Sequence, residues 1–230
     1  MLVDTSGFKI ILLGAPGSGK GTQSKKISSY FKLQKFVLGD LIREQVNSKS
    51  HIGVLCKSYM DLGKLVPDNI IVKLVDFYLT PLFQSNKGVV LDGFPRNLFQ
   101  AQYLRDISIS SSLSFFNVFF LDLSLDRVEE RLLNRLICTH CKSTFSLKIN
   151  KPKIKNKCDY CKSRLEVRSD DNDNVIRSRY SVYLDTIMPI LDFYSKILVK
   201  IDANQSEDMV FFQIKSSLLK TLNAKNKLLD

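Results

Sequence analysis

Residues 14–22 read Gly-Ala-Pro-Gly-Ser-Gly-Lys-Gly-Thr, and this glycine-rich stretch decides how the rest of the chain is interpreted. It follows an apolar run at residues 8–13 that predicts a buried strand, and it opens a predicted helix. Glycines permit backbone conformations that side chains forbid, so the amides can point inward at phosphate oxygens beside the positive helix terminus. An ordinary turn with a surface lysine is the alternative, which the strand-loop-helix context disfavours. The sequence therefore predicts a phosphate-binding loop.

The composition indicates a globular protein without a membrane segment. Of the 230 residues, 44% are hydrophobic and 25% are charged, which is near the average for soluble domains. The longest apolar stretch, residues 115–123, is interrupted by Asn117 and Asp122 and is too short for a membrane span. The first residues lack a basic region followed by an apolar run, so no secretory signal is expected. We expect a reducing compartment, the cytoplasm first and the mitochondrial matrix as an open alternative, and no membrane partner.

Short apolar runs separated by helical patterns recur along the chain. Apolar side chains fall at helical spacing across residues 52–60 and 70–79. Strands that are apolar nearly throughout and alternate with helices predict a parallel sheet covered on both faces. We expect about five strands, at residues 8–13, 35–38, 89–91, 117–122 and 197–202. The predicted helix N-caps are Asp40, Asp68 and Asp126.

Four of the five cysteines form two Cys-x-x-Cys pairs separated by 16 residues: Cys138, Cys141, Cys158 and Cys161. This spacing is typical of a tetrahedral zinc site, and a reducing compartment disfavours disulfides. Four free thiols are the alternative. His140 lies inside a pair and is interpreted as a turn residue, whereas Cys56 is interpreted as a buried apolar residue. Lys142 and Lys162 stand where glycine often follows such a pair.

The formal charge of +11 is concentrated around these cysteines. Residues 138–168 contain nine Lys or Arg and two Asp or Glu, and they break the strand-helix alternation. We therefore predict a small inserted domain whose positive charge attracts a polyanion, either a nucleotide or a nucleic acid. A basic zinc ribbon that binds nucleic acid is the alternative. Phe145 and Tyr160 are its main aromatic residues, which is few for stacking bases.

The Gly-Lys-Gly-Thr ending, in which Gly21 separates the lysine from the hydroxyl, resembles the adenylate kinase family. Further segments resemble motifs of that family in the same order, at residues 39–43, 60–66, 92–96, 131 with 135, 168 with 170–171, and 177 with 179. The resemblance covers nearly the whole chain. It implies a doubly wound α/β core of the P-loop type at residues 1–37, 68–130 and 171–230, an acceptor-binding insert at 38–67, and a zinc-bearing lid at 131–170.

The resemblance also implies roles for individual residues. Residues near the transferred group are Lys20, Arg96, Arg131, Arg135, Arg168 and Arg179. Those that hold the donor phosphates and Mg²⁺ are Gly14, Ala15, Pro16, Gly17, Ser18, Gly19, Lys20, Gly21, Thr22, Asp92, Arg131 and Arg135. Those that bind AMP are Leu38, Gly39, Arg43, Met60, Lys64, Leu65, Val66, Gly93, Arg96 and Gln100. Because Arg131 and Arg135 are four apart, we place them on one face of a helix.

The implied reaction is reversible phosphoryl transfer from ATP to AMP, with Mg²⁺ accompanying ATP and structural Zn²⁺ in the lid. Gln100 matches the position that contacts the acceptor adenine, whereas Leu38 replaces a residue that usually bears a hydroxyl. Residues 52–67 resemble the GTP:AMP phosphotransferases, and Asn97 resembles the UMP/CMP kinases, so both activities remain alternatives. Nucleotides are the expected partners of a monomer that does not bind nucleic acid.

Overall fold

The computed structural model describes residues 5, 7–85, 87–109, 116–168 and 170–226. In chain order the elements are β1 (Lys9–Gly14), α1 (Lys20–Phe31), β2 (Gln34–Val37), α2 (Leu38–Asn47), α3 (His51–Asp61), α4 (Asp68–Tyr78), α5 (Thr80–Gln84), β3 (Val89–Asp92), α6 (Leu98–Ile109), β4 (Phe116–Asp122), α7 (Leu125–Leu133), β5 (Arg135–Cys138), β6 (Thr144–Ser146), β7 (Leu165–Glu166), α8 (Asp173–Phe193), β8 (Leu198–Asp202) and α9 (Glu207–Asn226).

Five parallel strands form the main sheet in the order β2-β3-β1-β4-β8. The central strand β1 pairs on one side with β3, where Ile11 lies opposite Leu91, and on the other side with β4. The predicted parallel five-stranded sheet is confirmed, and no strand end differs by more than one residue from the predicted one. All five strands run the same way, so their carboxyl ends meet at one edge of the sheet.

Alternate residues of β1 enter two separate cores. Ile11 and Leu13 belong to a core that includes apolar residues of α4, α5, α6 and α8. Ile10 and Leu12 belong to the core on the opposite face, with apolar residues of α1, α7 and α9. Burial on both faces explains why the strand sequences are apolar nearly throughout.

Helices α2 and α3 pack closely against each other, and Gly53 lies at their contact. The Ser50 hydroxyl caps α3 by accepting a hydrogen bond from the Gly53 amide at 3.0 Å. A Cβ atom at Gly53 would lie only 1.9 Å from the backbone oxygen of Gln45 in α2. The backbones of the two helices therefore approach each other closely enough to require glycine.

The lid segment contains a second, antiparallel sheet with the order β6-β5-β7. It has its own small core, made of Leu136, Cys138, Phe145, Cys158 and Leu165. The predicted break in the strand-helix alternation therefore corresponds to a separate folding element. The domain bounds 38–67 and 131–170 stay predictions.

Two local predictions were wrong. The N-caps of α2, α4 and α7 are Val37, Pro67 and Ser124, so the three predicted aspartates lie in first turns instead. A first-turn carboxylate is also stabilised by the helix dipole, so the residue type does not distinguish these positions. Arg131 and Arg135 do not share a helix, because α7 ends at Leu133 and Arg135 begins β5.

Within the part of the chain that the structure describes, the helices are all too short or too polar to cross a membrane.

Gly53→Ala tests the contact between α2 and α3. At an open helix position this change stabilises by up to about 1 kcal/mol, because alanine has the higher helix propensity. Here the new methyl group meets the α2 backbone, so we expect the free energy of unfolding to fall by about 1–3 kcal/mol. Urea denaturation measures the change. Ser58→Ala, at an exposed position of the same helix, is the control, and stabilisation by Gly53→Ala would contradict the observed packing.

Candidate active site

The loop between β1 and α1 depends on glycine at its two ends. Gly14 has φ 145°, and a Cβ there would lie 2.6 Å from the backbone oxygen of Leu121 in β4 and 2.7 Å from the Ser18 hydroxyl. Gly19, with φ 96°, caps the start of α1. The loop therefore fits against β4 and turns its amides towards the N-terminus of α1, as a phosphate-binding loop requires.

Lys20, the first residue of α1, folds over this loop. Its ammonium group donates hydrogen bonds to the backbone oxygens of Gly14 and Ala15, both at 2.8 Å. Burial lowers the pKa of Lys20 to about 8; the nearby Asp92 opposes this shift and Arg96 adds to it. Because burial disfavours the charged form of Lys20, an anion bound next to it would stabilise that form.

Asp92 ends β3 beside the loop, where a metal-binding carboxylate is predicted. It is 7% exposed, and one of its oxygens lies 3.4 Å from the Ser24 hydroxyl. Burial raises the pKa of Asp92, against the lowering effect of Lys20. Its carboxylate and the Thr22 hydroxyl, which also lines the cleft, are the oxygen ligands that Mg²⁺ prefers.

A single cleft of about 380 Å³ gathers six arginines from different elements. Helices α2, α7 and α8, strand β5, and the segments after β3 and β7 supply them: Arg43, Arg131, Arg179, Arg135, Arg96 and Arg168. The phosphate-binding loop and Lys20 line the same cleft. All the residues predicted to surround the transferred group therefore face one space.

Two carboxylates at the end of the lid segment hold several of these arginines in place. Asp171, whose side chain is 0% exposed, accepts two hydrogen bonds from Arg135, at 2.7 and 2.5 Å. Arg179 lies 3.3 Å from both Asp170 and Asp171. Bidentate pairing fixes the plane of a guanidinium group as well as its position. The two aspartates therefore orient arginines from β5 and α8 towards the same point.

Burial and the neighbouring positive charges lower the pKa values of two of these arginines. The pKa of Arg96 falls to about 10, first because of burial and then because of Arg179 and Arg43. The pKa of Arg168 falls to about 9, through burial and then Arg135 and Arg43. Each arginine is thus destabilised by its neighbours as well as by desolvation. A polyanionic ligand in the cleft would relieve both effects.

Most of the predicted site residues line the cleft, but three do not. Ala15 and Leu38 are buried in the two cores, at 1% and 0% exposure. Gln100 is 1% exposed, accepts a hydrogen bond from the Arg96 amide at 2.8 Å and donates one to Asp68 at 2.7 Å. The structure therefore places the Gln100 amide behind the backbone of Arg96. Arg177, from the same sequence motif as Arg179, is exposed and pairs with Glu129.

Sequence reasoning missed Asp40 and the lid residues that line the cleft. Asp40, interpreted as an N-cap, lies 2.5 Å from Arg43 and 3.9 Å from Arg168; its spacing of three residues from Arg43 was the available signal. Further residues that line the cleft come from the lid, from the turn after β8 and from the start of α9: Thr144, Phe145, Ser146, Ile149, Asn150, Ala203, Gln205, Ser206, Glu207 and Val210. These residues form no sequence motif, so only the fold brings them together.

The four paired cysteines converge in the lid. Their sulfur atoms all lie within 4.8 Å of one another, and the Sγ atoms of Cys138 and Cys161 are 3.3 Å apart. Tetrahedral Zn–S bonds of about 2.3 Å place sulfurs about 3.8 Å apart, so the cluster has the dimensions of a four-thiolate zinc site. Hydrogen bonds from Ser163 lower the pKa of Cys161 to about 5, whereas burial raises the pKa of Cys138 to about 11, so without a metal the cluster favours a thiolate at Cys161 and a thiol at Cys138. Exposed His140 is outside the cluster.

Lys142 and Lys162 take the turn conformation that glycine usually provides. Their φ angles are 57° and 64°, in the left-handed region. Each amide donates to the carbonyl oxygen of the first cysteine of its pair, at 3.2 Å to Cys138 and 2.9 Å to Cys158. Both knuckles therefore keep their geometry despite the substitution.

A parallel sheet with a phosphate-binding loop, and an arginine-lined cleft beneath a lid, defines a nucleotide-binding protein of the P-loop class. The family model described as adenylate kinase matches residues 12–199. The chain belongs to the adenylate kinase family.

Relatives in that family match nearly end to end. An adenylate kinase of Clostridium novyi is 37% identical over 92% of this chain and 98% of its own length. An adenylate kinase of Caldanaerobacter subterraneus is 38% identical, over 92% and 96% respectively. One from Methanocella arvoryzae is 36% identical, over 93% and 99%.

The lowered pKa of Lys20 predicts the pH dependence of donor capture. The ammonium group carries its charge below its pKa and loses it as pH rises through about 8, so kcat/KM for the triphosphate should fall above that pH. Nucleotide phosphates titrate near pH 6, below this window. Initial rates between pH 6 and 10 measure the profile. In Lys20→Arg the fall should move to higher pH, and a native profile that stays flat to pH 9.5 would refute the assignment.

Proposed function

We propose that this chain catalyses reversible transfer of the terminal phosphoryl group of ATP to AMP, giving two molecules of ADP. The observation that carries the proposal is that two separate groups of cationic side chains line one cleft. The loop with Lys20 forms one, and Arg43 with Arg96 forms the other. Arg96 lies close enough to Lys20 to lower the pKa of that lysine, so two phosphate chains bound there would meet.

Phosphoryl transfer requires mainly that the protein align the two phosphate groups and balance their negative charge. An oxygen of the AMP phosphate forms a bond to the γ-phosphorus of ATP, while the bond from that phosphorus to the β–γ bridging oxygen breaks. The nucleophile is already an anion, so no general base is needed. Arg131, Arg135 and Arg168 approach from the lid side and Arg179 from α8, and they balance the negative charge on the transferring group.

Arg43 and Arg96 are assigned to the acceptor phosphate. Arg96 is held by a hydrogen bond from its Nε to the backbone oxygen of Gly93, at 2.8 Å. Gly93 has φ 75°, and a Cβ there would lie 3.2 Å from an Arg96 nitrogen. The glycine therefore lets the guanidinium group lie flat against the backbone, where it presents two donors to one phosphate.

Asp92 and Thr22 are the residues that would hold Mg²⁺, which neutralises charge on the donor phosphates when bound. Their oxygen atoms and their position beside the loop fit that ion. Exclusion of water rests on the chain itself, because the lid and the α2–α3 segment both form walls of the cleft. A water molecule in place of AMP would hydrolyse the triphosphate.

Gln100 supports adenine as the acceptor base. A side-chain amide has two N–H donors and two oxygen lone pairs. Asp68 and the Arg96 amide use one of each, which fixes the orientation of the amide. One N–H and one lone pair remain, and these complement the N1 acceptor and the 6-amino donor of adenine. Because Gln100 is 1% exposed, AMP binding has to displace the neighbouring acceptor segment.

The alternatives receive less support. The curated relatives are named adenylate kinases, and the GTP donor finds no support in those names. A lid that binds nucleic acid would have to stack bases on Phe145 and Tyr160. Phe145, however, is 3% exposed and packs in the lid core. Tyr160 is left as the one exposed aromatic residue of the two, which makes the lid a poor surface for stacking bases.

We still predict a monomer in the cytoplasm, and the comparisons give no support to the mitochondrial matrix.

A panel of nucleotide pairs tests the activity. We expect ATP with AMP to give the highest kcat/KM, and CMP or UMP to react at least about 10²-fold more slowly, because they lack the adenine edge that Gln100 contacts. Lys20→Ala should lower turnover by about 10²–10³. A coupled assay over ATP, GTP, AMP, CMP and UMP measures this.

Faster transfer to CMP or UMP than to AMP would overturn the acceptor assignment. If no pair reacts and the protein instead binds single-stranded RNA with steep salt dependence, the nucleic-acid alternative replaces the enzyme.

We also propose that the cysteine cluster binds one zinc ion whose role is structural. Four thiolates fill the tetrahedral positions and leave none for a substrate. Cys138 and Cys158 are buried in the lid core, so the metal would join the two knuckles to that core.

Cys158→Ser should lower zinc retention and the thermal midpoint, while turnover at low temperature persists in part because no substrate contacts the metal. Metal analysis, calorimetry and an activity assay on one preparation measure the three effects. Cys56→Ser, which also changes a buried cysteine but not a ligand, should keep one zinc per chain. Complete loss of activity in folded Cys158→Ser would show that the metal does more than stabilise the lid.

A further inference from the structure

One side chain of α1 reaches the zinc-binding end of the lid. The ammonium group of Lys25 donates a hydrogen bond to the Ser143 hydroxyl and lies 4.6 Å from the centre of the Tyr160 ring. Ser143 follows the first cysteine pair, and Tyr160 lies inside the second. Lys25 therefore contacts both knuckles at once, from the helix that begins at the phosphate-binding loop.

The hydrogen bond from Lys25 continues to a thiolate. An ammonium group can only donate, so the Ser143 oxygen accepts and its own proton is free to donate elsewhere. The Sγ atom of Cys141 lies 3.0 Å from that oxygen. Ser143 is 4% exposed, so this arrangement is shielded from water. Four thiolates around a divalent ion carry a formal charge of −2, which attracts the ammonium group.

We propose that Lys25 is a positioning residue that holds the lid closed by binding the anionic zinc–thiolate knuckles. The proposal rests on zinc occupying the four cysteines, as proposed above. Lys25 stands five residues after Lys20 in α1, about 7.5 Å along the helix axis. One helix thus binds the donor phosphates at its start and the lid one and a half turns later.

Two consequences separate this role from a merely structural one. Lys25 contacts the lid and does not line the cleft. Its loss should therefore weaken donor binding, which requires closure, more than the chemical step. Closure and metal binding should also be coupled in both directions. If a closed lid brings Lys25 to the zinc site, then bound ATP should slow the loss of zinc.

Lys25→Met removes the charge and keeps most of the side-chain length. We expect KM for MgATP to rise about 3- to 10-fold, the range for the net contribution of one hydrogen bond. We expect kcat to change less than twofold and amide exchange across residues 135–166 with MgATP to become faster. Lys32→Met, at the exposed end of α1, is the matched control. Tyr160→Phe should behave as native, whereas Tyr160→Leu should resemble Lys25→Met, because Lys25 contacts the aromatic ring of Tyr160 and not its hydroxyl group.

The closing experiment follows transfer of zinc to a chromophoric chelator, with and without MgATP. In the native chain and in Lys32→Met, MgATP should slow the transfer at least 3-fold; in Lys25→Met and Ser143→Ala this effect should disappear. Lid exchange in Lys25→Met equal to native, or an undiminished effect of MgATP on zinc transfer, would overturn the proposal. These readouts do not depend on turnover. Absence of ATP–AMP transfer by the native chain would refute the proposed function instead.

Discussion

Mutual repulsion among cations confined to one cleft is the constraint on which the remaining structure depends. Six arginines and Lys20 face this space, and burial lowers the pKa of both Arg96 and Arg168. Buried charges of one sign persist only where partners compensate them. Asp170 and Asp171 supply part of that compensation and orient the guanidinium groups as they do so. The phosphates of two nucleotides would balance the positive charge that these two aspartates leave uncompensated.

The fold explains how so many cations reach one place without a continuous motif. Parallel strands end at a common edge, so the loop after β1, Asp92 at the end of β3 and the turn after β8 become neighbours. The lid, with its own core, brings Arg135 and Arg168 in from outside the sheet. Arg135 begins β5 and Arg168 follows β7, and because these two strands pair, both arginines belong to one structural unit. Contact through Lys25 would then link lid position to the phosphate-binding helix.

The sequence was most informative where chemistry constrains residue type at fixed spacing. Glycines at 14 and 19, the buried strands and the two cysteine pairs could all be predicted, because each needs particular residues close together in the chain. Arg135 was placed on a helix because a spacing of four fits one, and the sequence did not show that the helix ends at Leu133. The hydrogen bond from Gln100 to Asp68 and the contact of Lys25 with Ser143 join segments that are far apart in the chain. No local pattern could have indicated them.

Thermal unfolding in the presence of ligands tests most directly whether the cleft is built for two nucleotides. MgATP and AMP, each at about 100 times its dissociation constant, should each stabilise the folded state by about 2.7 kcal/mol. For a chain of 230 residues, each should raise the midpoint by about 5–10 °C, with a larger rise for both together. Adenosine, which lacks phosphates, should leave the midpoint almost unchanged. A midpoint unmoved by MgATP and AMP, or raised equally by adenosine, would contradict the account.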